Sequence, residues 1–340
     1  MLTENIQQQI LQNKDLLFYI TDFLYDREAF RLFCTNKLYN ELIKTYPKRY
    51  KLKRQITCYD IPPQKQELFK KLYTYKITHQ FVNKLEQIKP TAEKLFFEWN
   101  FNEEISKYNL PSHLTHLSLG CNFNKPLDKL PETLIYLSIY GEFNQELNHL
   151  PNKLQFLYMN GVSPFDKSVD HLPSSLTSLR LSFNFNKPID CLPLNLVSLE
   201  FGDHFNQSVD HLPSSIIELC FGNDFNQRVD HLPHNLKKLL FGREFNQPVD
   251  NLPQEVIEIK FGFSFNQDVN RLPSCLKKVE FGFCFNKALD NLPLSIETIK
   301  VSKKFSQDFP THLENLRKII VPYKYNRKFP CDVVVNYFSI

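Results

Sequence analysis

The chain has 340 residues, of which 42% are hydrophobic and 14% aromatic, and a formal net charge of only +4. It contains no apolar run of the roughly 18–20 residues that cross a bilayer, and its first residues, MLTENIQQQILQNKD, lack the basic start and apolar stretch of a secretory signal. Eight scattered cysteines without a CxxC pair fit reduced thiols. We therefore expect a cytoplasmic protein with no membrane partner, with the nucleus as the alternative compartment.

The first segment, residues 1–50, is predicted to be a helical head. Apolar residues recur at helical spacing in DLLFYITDFLYDREAFRLFCTNKLYNEL, residues 15–42. Three short amphipathic helices are a poor free-standing domain, and apolar surface exposed on such a piece indicates a partner. The stretch resembles an F-box, the adaptor-docking motif of SCF-type ubiquitin ligases. The alternative is a helical cap that only seals the first repeat.

The resemblance to an F-box implies a docking surface for a Skp-type adaptor. The apolar residues assigned to that surface are Leu16, Leu17, Ile20, Phe23, Leu24, Phe30, Phe33 and Leu38.

A basic stretch joins the head to the rest of the chain. It includes KTYPKRYKLKRQ, and residues 51–71 are interpreted as a linker or N-terminal cap. The stretch is either a nuclear-localisation or phosphate-binding patch or a solvated linker. Residues 1–90 hold sixteen Lys/Arg against nine Asp/Glu, whereas the remainder holds twenty-five against twenty-eight. A near-neutral body argues against a nucleic-acid binder built over the whole chain.

Residues 72–340 repeat one short sequence unit and are predicted to form a solenoid with a C-terminal cap. The unit reads L-x-x-L-x-F-G-x-x-F-N-Q-P-V-D-x-L-P-x-x, and a weaker copy begins at Leu72 with Phe81 in the second Phe position. Unit starts from Leu72 to Leu316 predict about thirteen turns of twenty residues. The Phe-Asn pairs that mark the turns begin at Phe101, Phe123, Phe143, Phe185, Phe205, Phe225, Phe245, Phe265 and Phe285.

Stacking explains why such a unit is repeated. A single copy cannot bury its six apolar residues, but stacked copies bury them against the next turn. The segment LKKLLF, residues 236–241, alternates as a short strand should. Equivalent strands must then lie parallel, about 4.8 Å apart, and the remaining residues are too few for a helical crossover. We expect extended or 3₁₀ returns, a buried ladder of asparagine amides that bonds loop backbone, and a glycine column that marks a strand-ending turn.

The segment LPSSIIELCFGNDFNQRVDHLP resembles the FNIP repeat, a short leucine-rich repeat. The resemblance implies a mainly-β, leucine-rich-repeat-like solenoid with a parallel sheet on its concave face, which commonly binds proteins. The combination of this repeat with an F-box resembles proteins of giant amoebal viruses and slime moulds. It implies a substrate-recruiting adaptor that docks a Skp adaptor and cullin complex and binds a target protein. The alternative is a scaffold or decoy without a ligase role.

Catalytic and metal sites find little support in the sequence. A column of His149, His171, Cys191, His211 and His231 could share a metal, but it lies at an exposed position and nothing completes a tetrahedral set. No paired buried carboxylates, nucleophile elbow or Gly-rich phosphate loop appears. We therefore expect a non-enzymatic protein with no cofactor and no small-molecule ligand.

The strand face that points away from the core differs between the two halves of the repeat region. Its later turns alternate in charge, through Glu218, Lys238, Glu258 and Lys278 and through Lys260, Glu280 and Lys300, which predicts a structural ladder of exposed pairs. Its earlier turns carry aromatic rings, which are typical binding anchors. The alternative is that these rings are covered by the head or by the insertion around Val162. The predicted target-binding residues are Phe96, His116, Tyr136, Phe156 and Tyr158.

Overall fold

The computed structural model of the chain describes residues 79–82 (backbone only), 88–97, 100–161, 163–325, 327–330 and 333–338. His79–Ile340 forms one compact unit. The F-box-like head, the basic linker and the first residues of the predicted solenoid lie outside the described residues. Within the described ranges, no helix is long and apolar enough to cross a membrane.

The described part of the chain forms a single parallel sheet of fourteen strands that follow one another in sequence order. Each strand pairs with the strands before and after it, as a solenoid requires. The strands are β1 (His79–Val82), β2 (Lys94–Phe97), β3 (His116–Leu119), β4 (Tyr136–Tyr140), β5 (Phe156–Asn160), β6 (Ser178–Arg180), β7 (Ser198–Glu200), β8 (Glu218–Cys220), β9 (Lys238–Leu240), β10 (Glu258–Lys260), β11 (Lys278–Glu280), β12 (Thr298–Lys300), β13 (Lys318–Pro322) and β14 (Val334–Phe338).

The fold is a mainly-β, leucine-rich-repeat-like solenoid of about twelve turns. Strands β2 to β13 account for these turns, with steps of twenty or twenty-two residues between their first residues. The predicted parallel sheet is confirmed. The described residues contain one 3₁₀ helix, Ile105–Lys107, and the returns are otherwise turns and extended segments.

The prediction of the first repeat was wrong in its register. The backbone of Phe81 lies in β1 and pairs with Phe96, although the repeat pattern had placed Phe81 in the returning loop. The step from His79 to Lys94 is therefore fifteen residues. This copy lacks the Phe-Asn pair that shapes the longer return, so a shorter connection suffices. The last step is also short, because Lys318 pairs with Val334, sixteen residues later.

Stacked phenylalanines form the centre of the core. The Phe of the Phe-Asn pair is buried in turn after turn, and each ring lies parallel to the next, as Phe225 and Phe245 do at 6.1 Å between centroids. A second column joins it, because Phe241 stacks on Phe245 at 3.7 Å and on Phe221 at 5.5 Å. The rings of consecutive turns lie at centroid distances typical of the offset stacking that aromatic quadrupoles favour, whereas the two rings of one turn lie almost face to face. The predicted apolar core columns are thus confirmed.

The asparagine that follows most of these rings links consecutive turns. The side-chain Oδ1 of Asn226 accepts a hydrogen bond from the backbone N–H of Asn246 at 2.9 Å, and Asn246 accepts one from Asn266 at 2.9 Å. Asp166 occupies the same position and accepts from the N–H of Asn186 at 3.0 Å. The ladder was expected to be buried, and this was wrong: Asn246 is half-buried and Asn266 exposed. The asparagines border the core, where they satisfy the backbone of the outer loops.

The glycine after each later strand is required by the turn before it. A Cβ added to Gly242 would lie 1.9 Å from the carbonyl oxygen of Gly222, and one added to Gly262 would lie 1.6 Å from that of Gly242. No side chain fits such a gap, and these glycines do not need a left-handed backbone. The glycine column was predicted to mark a strand-ending turn, whereas close approach of consecutive turns is the physical reason for it.

Candidate protein-interaction face

Alternation along the short strands creates two columns of side chains on the face away from the core. In β5, Phe156 and Tyr158 are half-buried while Leu157 and Met159 are buried, and β9 alternates in the same way. The register places Tyr136 beside Phe156 and Ser138 beside Tyr158. Because strands in register repeat the same direction, each column is a row of neighbours that crosses the sheet.

An aromatic patch, defined here as Tyr136, Phe156 and Tyr158, occupies β4 and β5. The ring centroids of Tyr136 and Phe156 are 6.3 Å apart, those of Tyr136 and Tyr158 are 5.5 Å apart, and those of Phe156 and Tyr158 are 6.4 Å apart. The Tyr136–Tyr158 pair meets edge to face, at 87° between ring planes. All three rings are half-buried. Three mutually contacting rings form a rigid surface with polar hydroxyl groups at its margin.

Of the other two predicted target-binding residues, His116 lies beside the aromatic patch and Phe96 lies apart from it. His116 stacks on Tyr136 at 5.5 Å and extends the aromatic row onto β3. Phe96 belongs to the other column, in register with Ser118, and Ser138 is the next member before Tyr158. These two serines are buried and hydrogen-bonded to each other at 2.9 Å. Phe96 is therefore about three strand spacings, or roughly 14 Å, from Tyr158.

An arginine fixes one side of the aromatic patch, and the sequence analysis did not identify it. The Arg180 guanidinium lies 5.8 Å from the centroid of the Tyr158 ring, within the range of a cation–π contact. It also bonds the Glu200 carboxylate at 2.7 Å and donates to Asn160 Oδ1 at 3.1 Å. The Tyr158 hydroxyl lies 3.0 Å from Ser178 Oγ. The signal in the sequence was the single arginine in this column, placed between a tyrosine, Tyr158, and a glutamate, Glu200.

A shallow depression of about 220 Å³ follows on β7 to β9. It forms because Ser198 and Cys220 are short, whereas their neighbours Glu200, Glu218 and Lys238 are long. Burial is the main cause that raises the pKa of the Cys220 thiol to about 11, and the Glu200 carboxylate adds to it. The thiol is therefore neutral at pH 7, so it contributes an apolar floor and is not an activated nucleophile.

The later turns carry the predicted ladder of opposite charges, with one interruption. Lys278 bonds Glu258 at 2.6 Å, and Lys300 bonds Glu280 at 2.7 Å. Lys238 is in register with Glu218 and with Glu258 but forms an ion pair with neither within the described part of the chain. All of these groups are at least partly exposed, and such pairs contribute only about 0–1 kcal/mol each.

Two predicted sites remain, the column of histidines and cysteine and the adaptor-docking surface. The side chains of His149, His171, Cys191, His211 and His231 are exposed, and His149 Nδ1 lies 3.1 Å from the Asp128 carboxylate. The described ranges contain no group of three or more His, Cys, Asp or Glu side chains arranged to hold a metal ion. The predicted adaptor-docking residues, from Leu16 to Leu38, lie outside the described residues.

Comparison with known proteins gives one family and a set of similar folds. The FNIP Repeat family profile matches residues 92–122, 165–204, 185–224, 205–244, 225–264 and 245–284. No protein of curated function matches the chain in sequence.

Three solved structures share the architecture. CroV588 of a giant virus, described as a novel circular leucine-rich-repeat protein, is 28% identical, with a TM-score of 0.56 over 74% of this chain and 47% of that one. YopM from Yersinia enterocolitica is 18% identical, with a TM-score of 0.50 over 76% of this chain and 62% of that one. The functional domain of InlJ from Listeria monocytogenes is 13% identical, with a TM-score of 0.51 over 74% and 58%. The chain thus matches about half the length of CroV588.

Proposed function

Since this chain carries FNIP repeats and is a repeat-based protein-interaction scaffold of the leucine-rich-repeat type, we propose that it recruits a target protein to an SCF-type ubiquitin ligase. In this proposal the strand face binds the target, and the F-box-like segment 15–42 docks a Skp-type adaptor. The fold and the repeat family are typical of non-enzymatic scaffolds.

The observation that carries the target-binding half of the proposal is the aromatic patch. Tyr136, Phe156 and Tyr158 contact one another on adjacent strands and are fixed from one side by Arg180. Aromatic and arginine side chains are enriched among the residues that contribute most to the binding energy of protein interfaces. The charged ladder of β8 to β12 contributes less, because most of its members are paired and exposed pairs are worth little in free energy.

The ligase half of the proposal rests on the sequence of the head. Apolar residues at helical spacing, among them Leu16, Ile20 and Leu24, resemble an adaptor-docking surface. The same head could instead serve as a helical cap of a scaffold or decoy that binds the same target without delivering it to a ligase. The two functions share the strand face and differ only in whether an adaptor binds.

Affinity capture of the full chain from a eukaryotic cell lysate, under proteasome inhibition, tests both halves. A Skp-type adaptor and a cullin should co-purify with the parent and be lost when Leu16, Ile20 and Leu24 are changed to Asp. Absence of both proteins from the parent sample would favour the scaffold or decoy.

For the target, Tyr136, Phe156 and Tyr158 are changed together to Ala. We expect about thirtyfold or greater loss of affinity, because a truncated aromatic anchor typically costs about 2 kcal/mol or more. The matched variant changes Lys238, Glu258 and Lys278 to Ala and should bind within a few-fold of the parent. Loss of binding only in this second variant would move the target site to the charged half.

A further inference from the structure

The loops that leave the C-terminal ends of the strands form a second surface, separate from the strand face. The residue directly after the glycine is polar in three consecutive turns, namely Asp203, Asn223 and Arg243, and then becomes Phe263 and Phe283. Phe263 exposes 43% of its surface. An exposed phenylalanine at this position, which Phe183 also occupies in an earlier turn, is not explained by the core, because the core rings are two residues before and after it.

The two phenylalanines form a stack that is closed by a cation at each end. The Phe263 and Phe283 rings are parallel, with centroids 4.8 Å apart. The Arg243 guanidinium lies 5.1 Å from the Phe263 centroid, and the Lys304 ammonium lies 5.3 Å from that of Phe283. Backbone bonds hold the loops together, since Cys284 N–H donates to the Phe263 carbonyl at 2.9 Å. The order of the stack is therefore cation, ring, ring, cation, on a rigid support.

Uncompensated positive charge continues this surface toward β14. Lys303, Lys304 and Lys324 are exposed, and none of them forms an ion pair within the described residues. Tyr323, next to Lys324, exposes 80% of its surface. Residues 300–330 hold eight Lys/Arg and two Asp/Glu, a net charge of +6 against +4 for the whole chain.

Two earlier lysines show how such charge can be compensated within the chain. Lys277 pairs with Glu297 at 3.0 Å, and Lys287 pairs with Asp268 at 3.3 Å. The acidic group next to the stack, Glu244, is already held by Arg243 at 3.2 Å and by Ser264 Oγ at 3.1 Å. The lysines at 303, 304 and 324 therefore repel one another in the free protein, and an anionic partner would relieve that repulsion.

The geometry points to one kind of partner. The faces of both rings are covered by each other and by the two cations, so they offer no platform on which a nucleobase could stack. Their edges remain open, and the edge of an aromatic ring carries partial positive charge. We propose that the basic-aromatic rim, defined as Arg243, Phe263, Phe283, Lys303, Lys304, Tyr323 and Lys324, binds an acidic protein segment that carries apolar side chains.

The experiment measures fluorescence anisotropy of a labelled, glutamate-rich synthetic peptide with two spaced phenylalanines, added to the full chain. We expect binding that weakens between about 50 and 300 mM salt, because exposed charges are screened. A peptide with lysine in place of every glutamate should bind at least tenfold more weakly. Changing Lys303, Lys304 and Lys324 to Glu should reduce affinity for the acidic peptide about tenfold or more.

Two further variants separate the rim from general charge effects. The control variant changes Lys125, Lys153 and Lys167 to Glu, which alters the net charge by the same amount at a distance from the rim. At the same salt concentration, this variant should bind the acidic peptide within about twofold of the parent. Phe263→Asn with Phe283→Asn restores the residue found at Asn223, so folding is retained, and binding should fall severalfold. Equal binding by the rim variants and the parent would overturn the proposal.

Three other results would also overturn it: no binding of the acidic peptide, equal binding of the lysine peptide, or binding only of a single-stranded DNA oligonucleotide or a phosphatidylserine vesicle. The last would assign the rim to a nucleic acid or a membrane. The outcome is independent of target capture by the strand face, because the aromatic patch is unchanged in every rim variant.

Discussion

Removing the side chain of Asn246 tests whether the asparagine ladder stabilises the solenoid. Asn246 Oδ1 accepts hydrogen bonds from the backbone N–H of Asn266 at 2.9 Å and from Gln267 Nε2 at 3.3 Å. Asn246→Ala deletes both. Gln267 Nε2 keeps a second acceptor, the Asn246 carbonyl oxygen at 2.9 Å, so the Asn266 N–H is the group that loses its partner.

The expected cost follows from burial. A fully buried, unpaired N–H costs about 1–3 kcal/mol, whereas a net hydrogen bond contributes about 0.5–1.5 kcal/mol. Because Asn246 is half-buried and Asn266 is exposed, water can reach part of the site. We expect Asn246→Ala to lower the free energy of unfolding by about 1–2 kcal/mol. For a protein of this size that corresponds to about 1–4 °C in melting temperature.

The matched variant is Asn246→Asp. Asp166 occupies the same position in an earlier turn and accepts from the Asn186 N–H at 3.0 Å, so Asp supplies the acceptor that Ala lacks. We expect Asn246→Asp to remain within about 0.5 kcal/mol of the parent, as surface substitutions usually do. Urea titration followed by circular dichroism measures both variants. Equal stability of the Ala variant and the parent, or equal losses in Ala and Asp, would refute the role of the acceptor.

Two further predictions concern Gly242 and Cys220. Gly242→Ala should lower the free energy of unfolding by about 1–3 kcal/mol or more, because its Cβ would lie 1.9 Å from the Gly222 carbonyl oxygen. Arg243→Ala, in the same loop, should change the urea midpoint little. Similar midpoints for the two variants would contradict the steric explanation. At pH 8, iodoacetamide should modify Cys220, with its pKa of about 11, roughly two-hundredfold more slowly than a thiol of ordinary pKa near 8.5, because the thiolate fraction is smaller by that factor. Mass spectrometry should find exposed Cys191 modified first, and the reverse order would contradict burial as the cause.

Much of the fold was predictable because each repeat unit contains the apolar residues that form the core of its own turn. The Leu, Phe and Val positions of one unit fix where the strand lies and which face is buried, and the repeat step fixes parallel pairing. The strand of the first repeat was misplaced because its sequence lacks the Phe-Asn pair, from which the position of the strand is assigned in the other units. The burial of the asparagines was misjudged because their depth depends on how the outer loops pack, which the unit alone does not show.

The candidate sites were only partly predictable. Alternation along β4 and β5 was enough to place Tyr136, Phe156 and Tyr158 on one face, but not to show that all three rings touch or that Arg180 fixes one side. Phe96 was grouped with them by its face, whereas the register separates it by two serines. Phe263 and Phe283 were visible only as departures from the polar residues of the three preceding turns.

The sequence by itself determined the period, the parallel sheet and the core columns, because these depend on residues within one twenty-residue unit and on identical neighbours. Tertiary structure decided what depends on the distance between consecutive turns. The gap between the Gly222 and Gly242 loops leaves no space for a side chain, and the 4.8 Å between Phe263 and Phe283 closes their ring faces to other partners. Such distances arise only when the turns are stacked, since no residue within a single unit specifies how closely the next unit approaches.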